Sequence, residues 1–337
     1  MKLINIGIVG MGRIGKIHLS NITRFIPQAE VVAVAHANAE AQVYAKQFGV
    51  TQFYDEIEGL LEKSEIDAII IASPTAFHAS HIKLCIEAKK AIFCEKPMDL
   101  SLSVVQEVVS LVESSKVHFM IAFNRRFDPS FLKVKEKITN DSIGTPHLIN
   151  ITSRDPGPPP LEYIKTSGGL FLDMAIHDFD MACHLMDDEV ESVYASATVF
   201  GAAAIEELGD IDTAITTLTF KKGGMACINN SRNSSYGYDQ RVEVFGSKGM
   251  TGANNKTLDK HYSADESGFH TPVLLDFFLE RYADSYRIEL IAFIESFIQQ
   301  TSSPISASEG LKSMLISLAA KKSIQEKRVV TLTEMMN

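Results

Sequence analysis

The chain has no tryptophan and only four cysteines in 337 residues. Cys85, Cys94, Cys183 and Cys227 form no C-x-x-C pair and no zinc-ligand spacing, which argues against a disulfide scaffold or a cysteine-built metal centre. Four reduced packing thiols are expected. No apolar run reaches the ~18 residues that a membrane span needs. Gly7 and the glycines after it interrupt any secretory core in the opening segment. A dense run of Lys or Arg is also missing, and the formal net charge is −10. Nucleic acid and anionic membrane are therefore poor partners, and the acidic surplus reads as solubility. With 45% hydrophobic and 22% charged residues the composition is that of a folded globular protein, for which the cytoplasm is the expected compartment. The length suits two domains.

The first third alternates strand and helix patterns. Leu3 to Val9, Val31 to Ala35, Ala68 to Ala72, Ala91 to Cys94 and Phe119 to Phe123 read as buried strands, with helical periodicity between them. Ala68-Ile69-Ile70-Ile71-Ala72 is apolar at every position, as in a parallel strand covered on both faces. A doubly wound parallel sheet over residues 1–123 is expected. From 124 to 337 the pattern changes to an α+β domain. Ala214, Thr216, Leu218 and Phe220 alternate along one strand, which meets Met225 to Ile228 across Lys221-Lys222-Gly223-Gly224. Arg241 to Phe245 leads into a second turn at Gly246 to Gly249. Such alternation suits an antiparallel sheet with one buried face. Helical stretches precede it (169–186) and follow it (288–299 and 307–321).

Gly10-Met11-Gly12-Arg13-Ile14-Gly15 lies between the first strand and its helix. Gly10 permits the tight turn, Gly12 lets backbone approach a pyrophosphate, and Gly15 lets helix and strand pack closely. The helix N-terminus offers free N–H groups to the phosphates. In this context the motif indicates a dinucleotide. The acidic residue that holds the adenosine ribose at the end of the second strand is missing, and His36 stands there. The reading leans towards NAD, with NADP open because an imidazole tolerates a 2′-phosphate that Arg13 could also reach. Ser73-Pro74-Thr75 and Glu95-Lys96 follow later strands, at the carboxyl ends where such sheets bind ligands. The cofactor set is therefore Gly10, Gly12, Arg13, Ile14, Gly15, His36, Ser73, Pro74, Thr75, Glu95 and Lys96.

Lys96 could also donate to a substrate oxygen and stabilise a developing alkoxide. Asp173 and His177 are four residues apart on a helix that Gly168 and Gly169 introduce, so they share a face. A carboxylate beside an imidazole fixes its tautomer and favours its protonated form. The pair suits a general base that removes a hydroxyl proton. A structural salt link or a metal pair are the other readings, though no further His or Cys has helpful spacing for a metal.

Taken together, GMGRIG, EKP and the D-x-x-x-H helix resemble the glucose–fructose oxidoreductase and inositol dehydrogenase superfamily. SRDPGPP (153–159), SGGLFLDMAIHDFDMACHL (167–185), NNSRNSSYGYDQRVEVFGSKG (229–249) and FFLERYADSYRIEL (277–290) resemble its inositol 2-dehydrogenase branch. The resemblance implies a Rossmann-like domain followed by a domain with a large open, mainly antiparallel sheet. It implies oxidation of myo-inositol at C2 with NAD and homo-oligomers, tetramers or dimers, with subunit contacts through the sheet. It also implies a catalytic trio in which His177 is the base, Asp173 its orienting partner and Lys96 the donor to the reacting hydroxyl. Arg126, Asp155, Tyr236 and Tyr286 would line the polyol pocket, with a surface or packing role as the alternative for each. Asp178, Asp180 and His184 read as structural. The Lys96-Pro97 bond would be cis, and His36 is a departure from the family's usual Asp.

Two other functions fit less well. One is a dehydrogenase of the same superfamily acting on an aldose or scyllo-inositol with NADP. The other is a non-catalytic dinucleotide-sensing subunit, which would have no need to keep both Lys96 and His177.

Overall fold

The computed structural model describes residues 3–201 and 203–336. The chain forms two compact units, each discontinuous in sequence. The first comprises Met1–Phe127 and Asp284–Lys312, the second Asp128–Ala283 and Ser313–Asn337. The expected split, 1–123 and 124–337, assigned the stretches 124–127 and 284–312 to the other side.

In the first unit the strands are β1 (Ile4–Val9), β2 (Ala29–Ala35), β3 (Gln52–Tyr54), β4 (Ala68–Ile71), β5 (Ala91–Glu95) and β6 (Phe119–Ala122). They form one parallel sheet in the order β3-β2-β1-β4-β5-β6. This is the doubly wound order, with its switch point between β1 and β4. Helices α1 (Arg13–Phe25), α2 (Ala39–Lys46), α3 (Glu58–Leu61), α4 (His78–Glu87) and α5 (Leu102–Ser115) make the connections. All four residues of β4 are buried, which is why its sequence shows no alternation.

The returning segment carries most of α11 (Ala283–Gln299) and the start of α12 (Ala307–Glu326). Phe293 packs at 5.5 Å from the rings of both Phe93 and His118. The Ile121 amide donates to Ile305 O at 3.3 Å. Those contacts explain why 284–312 belongs with the nucleotide-type sheet.

In the second unit, helices α6 (Pro129–Thr139), α7 (Leu161–Ser167), α8 (Ile176–Met186), α9 (Ala203–Glu207) and α10 (Phe278–Arg281) accompany a seven-stranded sheet. Its strands are β7 (Pro146–Arg154), β8 (Val190–Thr198), β9 (Thr213–Phe220), β10 (Met225–Ser231), β11 (Asp239–Gly246), β12 (Gly249–Ala253) and β15 (Val330–Thr331). A small hairpin pairs β13 (Ser263–Asp265) with β14 (Gly268–His270). The large sheet runs β12-β11-β7-β10-β9-β8-β15. β7 and β10 pair in parallel, and the other neighbours are antiparallel. Both expected hairpins are present, β9–β10 and β11–β12.

Ala214, Thr216, Leu218 and Phe220 face inward, as their alternation requires. Tyr194, Ile215, Met225, Phe245 and Met250 lie exposed. Asp128 caps α6, accepting from the amides of Ser130 (3.0 Å) and Phe131 (3.2 Å), and it also pairs with the buried Arg281. All four cysteines are free thiols. Among the described residues no helix is long and apolar enough to cross a membrane.

Candidate active site

The glycine loop of the first unit has little room for side chains where close packing is needed. Gly10 has φ +92°, and a Cβ there would lie 2.4 Å from the Ser73 amide nitrogen. A Cβ on Gly15 would lie 2.0 Å from Gly10 O, so only glycine lets α1 pack this close to the end of β1. Gly12 differs: it is the N-cap of α1, exposed, with nothing within 4 Å of a Cβ position. The first turn of α1, which includes Arg13 and Ile14, has no acidic side chain to occupy its N–H groups. An open glycine at a free helix start is the cradle that a pyrophosphate needs, and these residues fit the dinucleotide.

Ser73, Pro74 and Thr75 follow β4. Pro74 precedes a short 3₁₀ turn, Thr75–Phe77, and Ser73 Oγ lies 3.1 Å from His81 Nδ1. His78 joins this loop to the one after β5, with Nε2 2.7 Å from Ser73 O and Nδ1 2.7 Å from Pro97 O. A neutral imidazole has one N–H, so only the doubly protonated ring donates to both carbonyls. Burial, the largest influence, nevertheless holds the His78 pKa below its ordinary value, against the pull of Pro97, Ser73 and Glu95. The Lys96-Pro97 bond is cis.

Beside Lys96, Glu95 belongs to a buried cluster that sequence spacing does not reveal. His18 Nε2 lies 2.7 Å from Glu95 Oε1, and ligand-type atoms of His18, Glu95 and Glu289 lie within 4.8 Å of one another. Glu289 is fully buried, and neither of its carboxyl oxygens has a hydrogen-bond partner. Burial and the neighbouring Glu95 push its pKa well above the ordinary value. The His18 ring is flanked edge-on by Phe93 at 5.2 Å and by Tyr286 at 6.1 Å. Tyr286 is itself buried, and Arg126 is buried with its guanidinium donating to Glu309 at 2.6 Å.

The second unit holds Asp173 and His177. Phe171–Ala175 is a π-helical turn leading directly into α8, so Asp173 sits in a widened turn and not in the regular α-helix that the spacing suggested. Such single turns recur at functional positions. From Leu170 to Ala182, only Asp173 and His177 are partly exposed; every other residue is buried. Both oxygens of Asp173 are engaged: Tyr163 Oη donates to Oδ1 at 2.9 Å, and Arg232 Nη2 to Oδ2 at 3.1 Å. Arg232, only 1% exposed, also faces Asp210 at 3.8 Å, and Asp210 accepts from the Leu170 amide at 3.0 Å. Asp178 is buried and accepts from Asn230 at 2.7 Å, in keeping with a structural role.

Asp155 begins the loop after β7. Its amide donates to Ser231 O and its carbonyl accepts from the Ser234 amide, both at 2.8 Å. Tyr236 is 53% exposed, receives a hydrogen bond from Arg154 at 2.8 Å and donates to Asp239 at 2.5 Å. Burial raises the Asp239 pKa, but hydrogen bonds from Arg241, Tyr236 and Asn255 outweigh it and bring the pKa below the ordinary carboxylate value. Tyr236 and Arg154 line a cavity of about 280 Å³ with Phe200, Thr213, Asn229, Ser231 and Asn233.

Comparison with known proteins gives these features a family. Residues 4–123 match the oxidoreductase family with an NAD-binding Rossmann fold, and residues 131–251 match the GFO/IDH/MocA C-terminal domain. The chain belongs to the GFO/IDH/MocA oxidoreductase family. It is 47% identical to an uncharacterised oxidoreductase of Bacillus subtilis, over 96% of this chain and 95% of that one. It is 44% identical to the myo-inositol 2-dehydrogenase of Thermotoga maritima, over 98% and 99%. The crystal structure of scyllo-inositol dehydrogenase from Lactobacillus casei with bound NAD(H) and scyllo-inositol superposes with a TM-score of 0.92 at 30% identity, covering 98% of this chain and 100% of that one.

As a GFO/IDH/MocA oxidoreductase the chain is an NAD enzyme. Sequence reasoning missed Arg232, Tyr163, His78 and Glu289. Only Glu289 left a visible signal, as a carboxylate on the otherwise apolar stripe of Tyr286, Leu290 and Phe293.

Proposed function

We propose that this oxidoreductase transfers a hydride from the C2 carbinol of myo-inositol, or of a close cyclitol, to NAD and yields the inosose, a step of inositol catabolism. The chemistry is carried by one observation, the partly exposed Asp173 and His177 on an otherwise buried segment. The substrate is carried by the names of the relatives. NAD, when bound, supplies the hydride acceptor, and Gly10, Gly12, Arg13, Ile14, Gly15, His36, Ser73, Pro74, Thr75, Glu95 and Lys96 form its site.

In this reading His177 takes the hydroxyl proton as general base. Asp173 orients the imidazole, its own carboxylate fixed by Tyr163 and Arg232. Lys96 donates to the reacting oxygen, where its charge favours an alkoxide. Arg126, Asp155, Tyr236 and Tyr286 recognise the ring hydroxyls, Tyr236 from the rim of its cavity. The protein works in the cytoplasm as a homo-oligomer, and the exposed apolar side chains of the large sheet supply the subunit contact.

Steady-state oxidation of a cyclitol and aldose panel with NAD and NADP tests this reading. Myo-inositol with NAD is expected to give the highest kcat/KM, and an aldose clearly ahead would remove the substrate assignment. His177→Ala is expected to lose about 10²–10⁴ in kcat while still binding NADH. Turnover near the wild-type level would remove the base.

A further inference from the structure

The end of β2 is where a Rossmann unit places the carboxylate that binds the ribose hydroxyls and turns away a 2′-phosphate. Here the position is His36, in the left-handed region at φ 53°, its amide donating to Tyr54 O at 3.2 Å. An imidazole alone would welcome a phosphate. It does not stand alone. Glu56, which follows β3, brings Oε2 to 3.0 Å from His36 Nε2, in ion-pair range though off the line of a hydrogen bond. The Glu56 side chain is 72% exposed, so its charge faces the solvent side of His36.

The surroundings belong to the same strand ends. The His36 ring lies 5.7 Å from that of His81 and 6.4 Å from that of Phe77, and Phe77 stacks on His81 at 5.9 Å. His81 in turn meets Ser73, whose amide nitrogen lies against Gly10. Glycine loop, His36, Glu56, Phe77 and His81 are therefore linked by one chain of contacts at the carboxyl end of the sheet. Lys16, a cation on the helix beside it, is occupied by Glu40 at 2.9 Å.

We propose that Glu56 is the specificity-determining acid of the nucleotide site, its carboxylate seated on His36 in place of the strand-end Asp and excluding a 2′-phosphate. The acid reaches the ribose region from the next strand, with His36 as its holder. A phosphate there would meet the like charge of the Glu56 carboxylate, 3.0 Å from the His36 ring nitrogen, and the repulsion costs affinity. The inference rests on the chain being an NAD enzyme.

Isothermal titration of the full chain with NADH and NADPH provides a readout independent of turnover. Glu56→Gln, a substitution at an exposed position, is expected to tighten NADPH at least tenfold and to change NADH less than threefold. Adding His36→Asp to that variant is expected to restore the wild-type discrimination. An NADPH-to-NADH affinity ratio that stays at the wild-type value in Glu56→Gln would overturn the assignment, and so would equal losses for both coenzymes. A wild-type chain that bound neither coenzyme would overturn the nucleotide reading itself, an outcome distinct from an unchanged ratio.

Discussion

Glu289 concentrates the electrostatics of the first unit in one side chain. Its carboxyl has no hydrogen-bond partner, lies close to Glu95 and is fully buried, so the folded chain favours the neutral acid. Because the folded pKa is raised above the ordinary 4.5, the contribution to stability is fully present below that value and is lost as pH rises through the folded pKa. Glu289→Gln should remove this component. In urea denaturation from acid to neutral pH, wild type should lose stability relative to the variant; parallel curves would show that the carboxyl does not titrate in this window. His81 acts in the opposite sense. Burial, with His36 and His78, brings its pKa down to about 4, so its contribution is lost as pH falls from 6.5 through that value. Of these groups the sequence shows the identities but not the company they keep. The missing acid at His36 is legible because the strand-end position is set by the glycine motif. Glu56 is not, because its approach depends on how β3 ends beside β2.

At the level of elements, the regular patterns read well. The parallel strands are legible through continuous apolar runs and the antiparallel ones through alternation, since each pattern reports how many faces are covered. The π turn at Phe171–Ala175 is not legible, because one extra residue in a turn leaves the apolar spacing almost unchanged. Arg232 meets Asp173 only because β10 ends where it does, which no local spacing encodes. The cap of α6 is another long-range junction. Asp128 holds two amides of α6 and the guanidinium of Arg281, both side chains almost wholly buried. Asp128→Ala removes the cap and leaves a buried cation unpaired, and should destabilise the second unit by about 3–5 kcal/mol. Urea unfolding measures it, and a loss of no more than about 0.5–2 kcal/mol, the range of a cap alone, would mean that Arg281 finds another partner.

For the whole molecule, the large sheet matters most. Ile215 (49% exposed), Met225 (53%), Phe245 (51%) and Met250 (59%) leave the sheet with apolar surface that an isolated chain rarely exposes. A self-complementary contact would cover it. Light scattering on the eluting protein should give a multiple of 37.1 kDa, and Met225→Lys with Phe245→Glu should shift it towards the single chain. A wild-type protein that elutes as one chain across the concentration range would refute assembly through this face.

The segment 284–312 gives the nucleotide-binding unit an unusual timetable. Phe293 and Glu289 fill places that β1 to β6 leave open, yet they are translated after the entire second sheet except β15. During synthesis the glycine loop therefore emerges early, while the core around Phe93 and His118 stays partly built until the distal helix arrives.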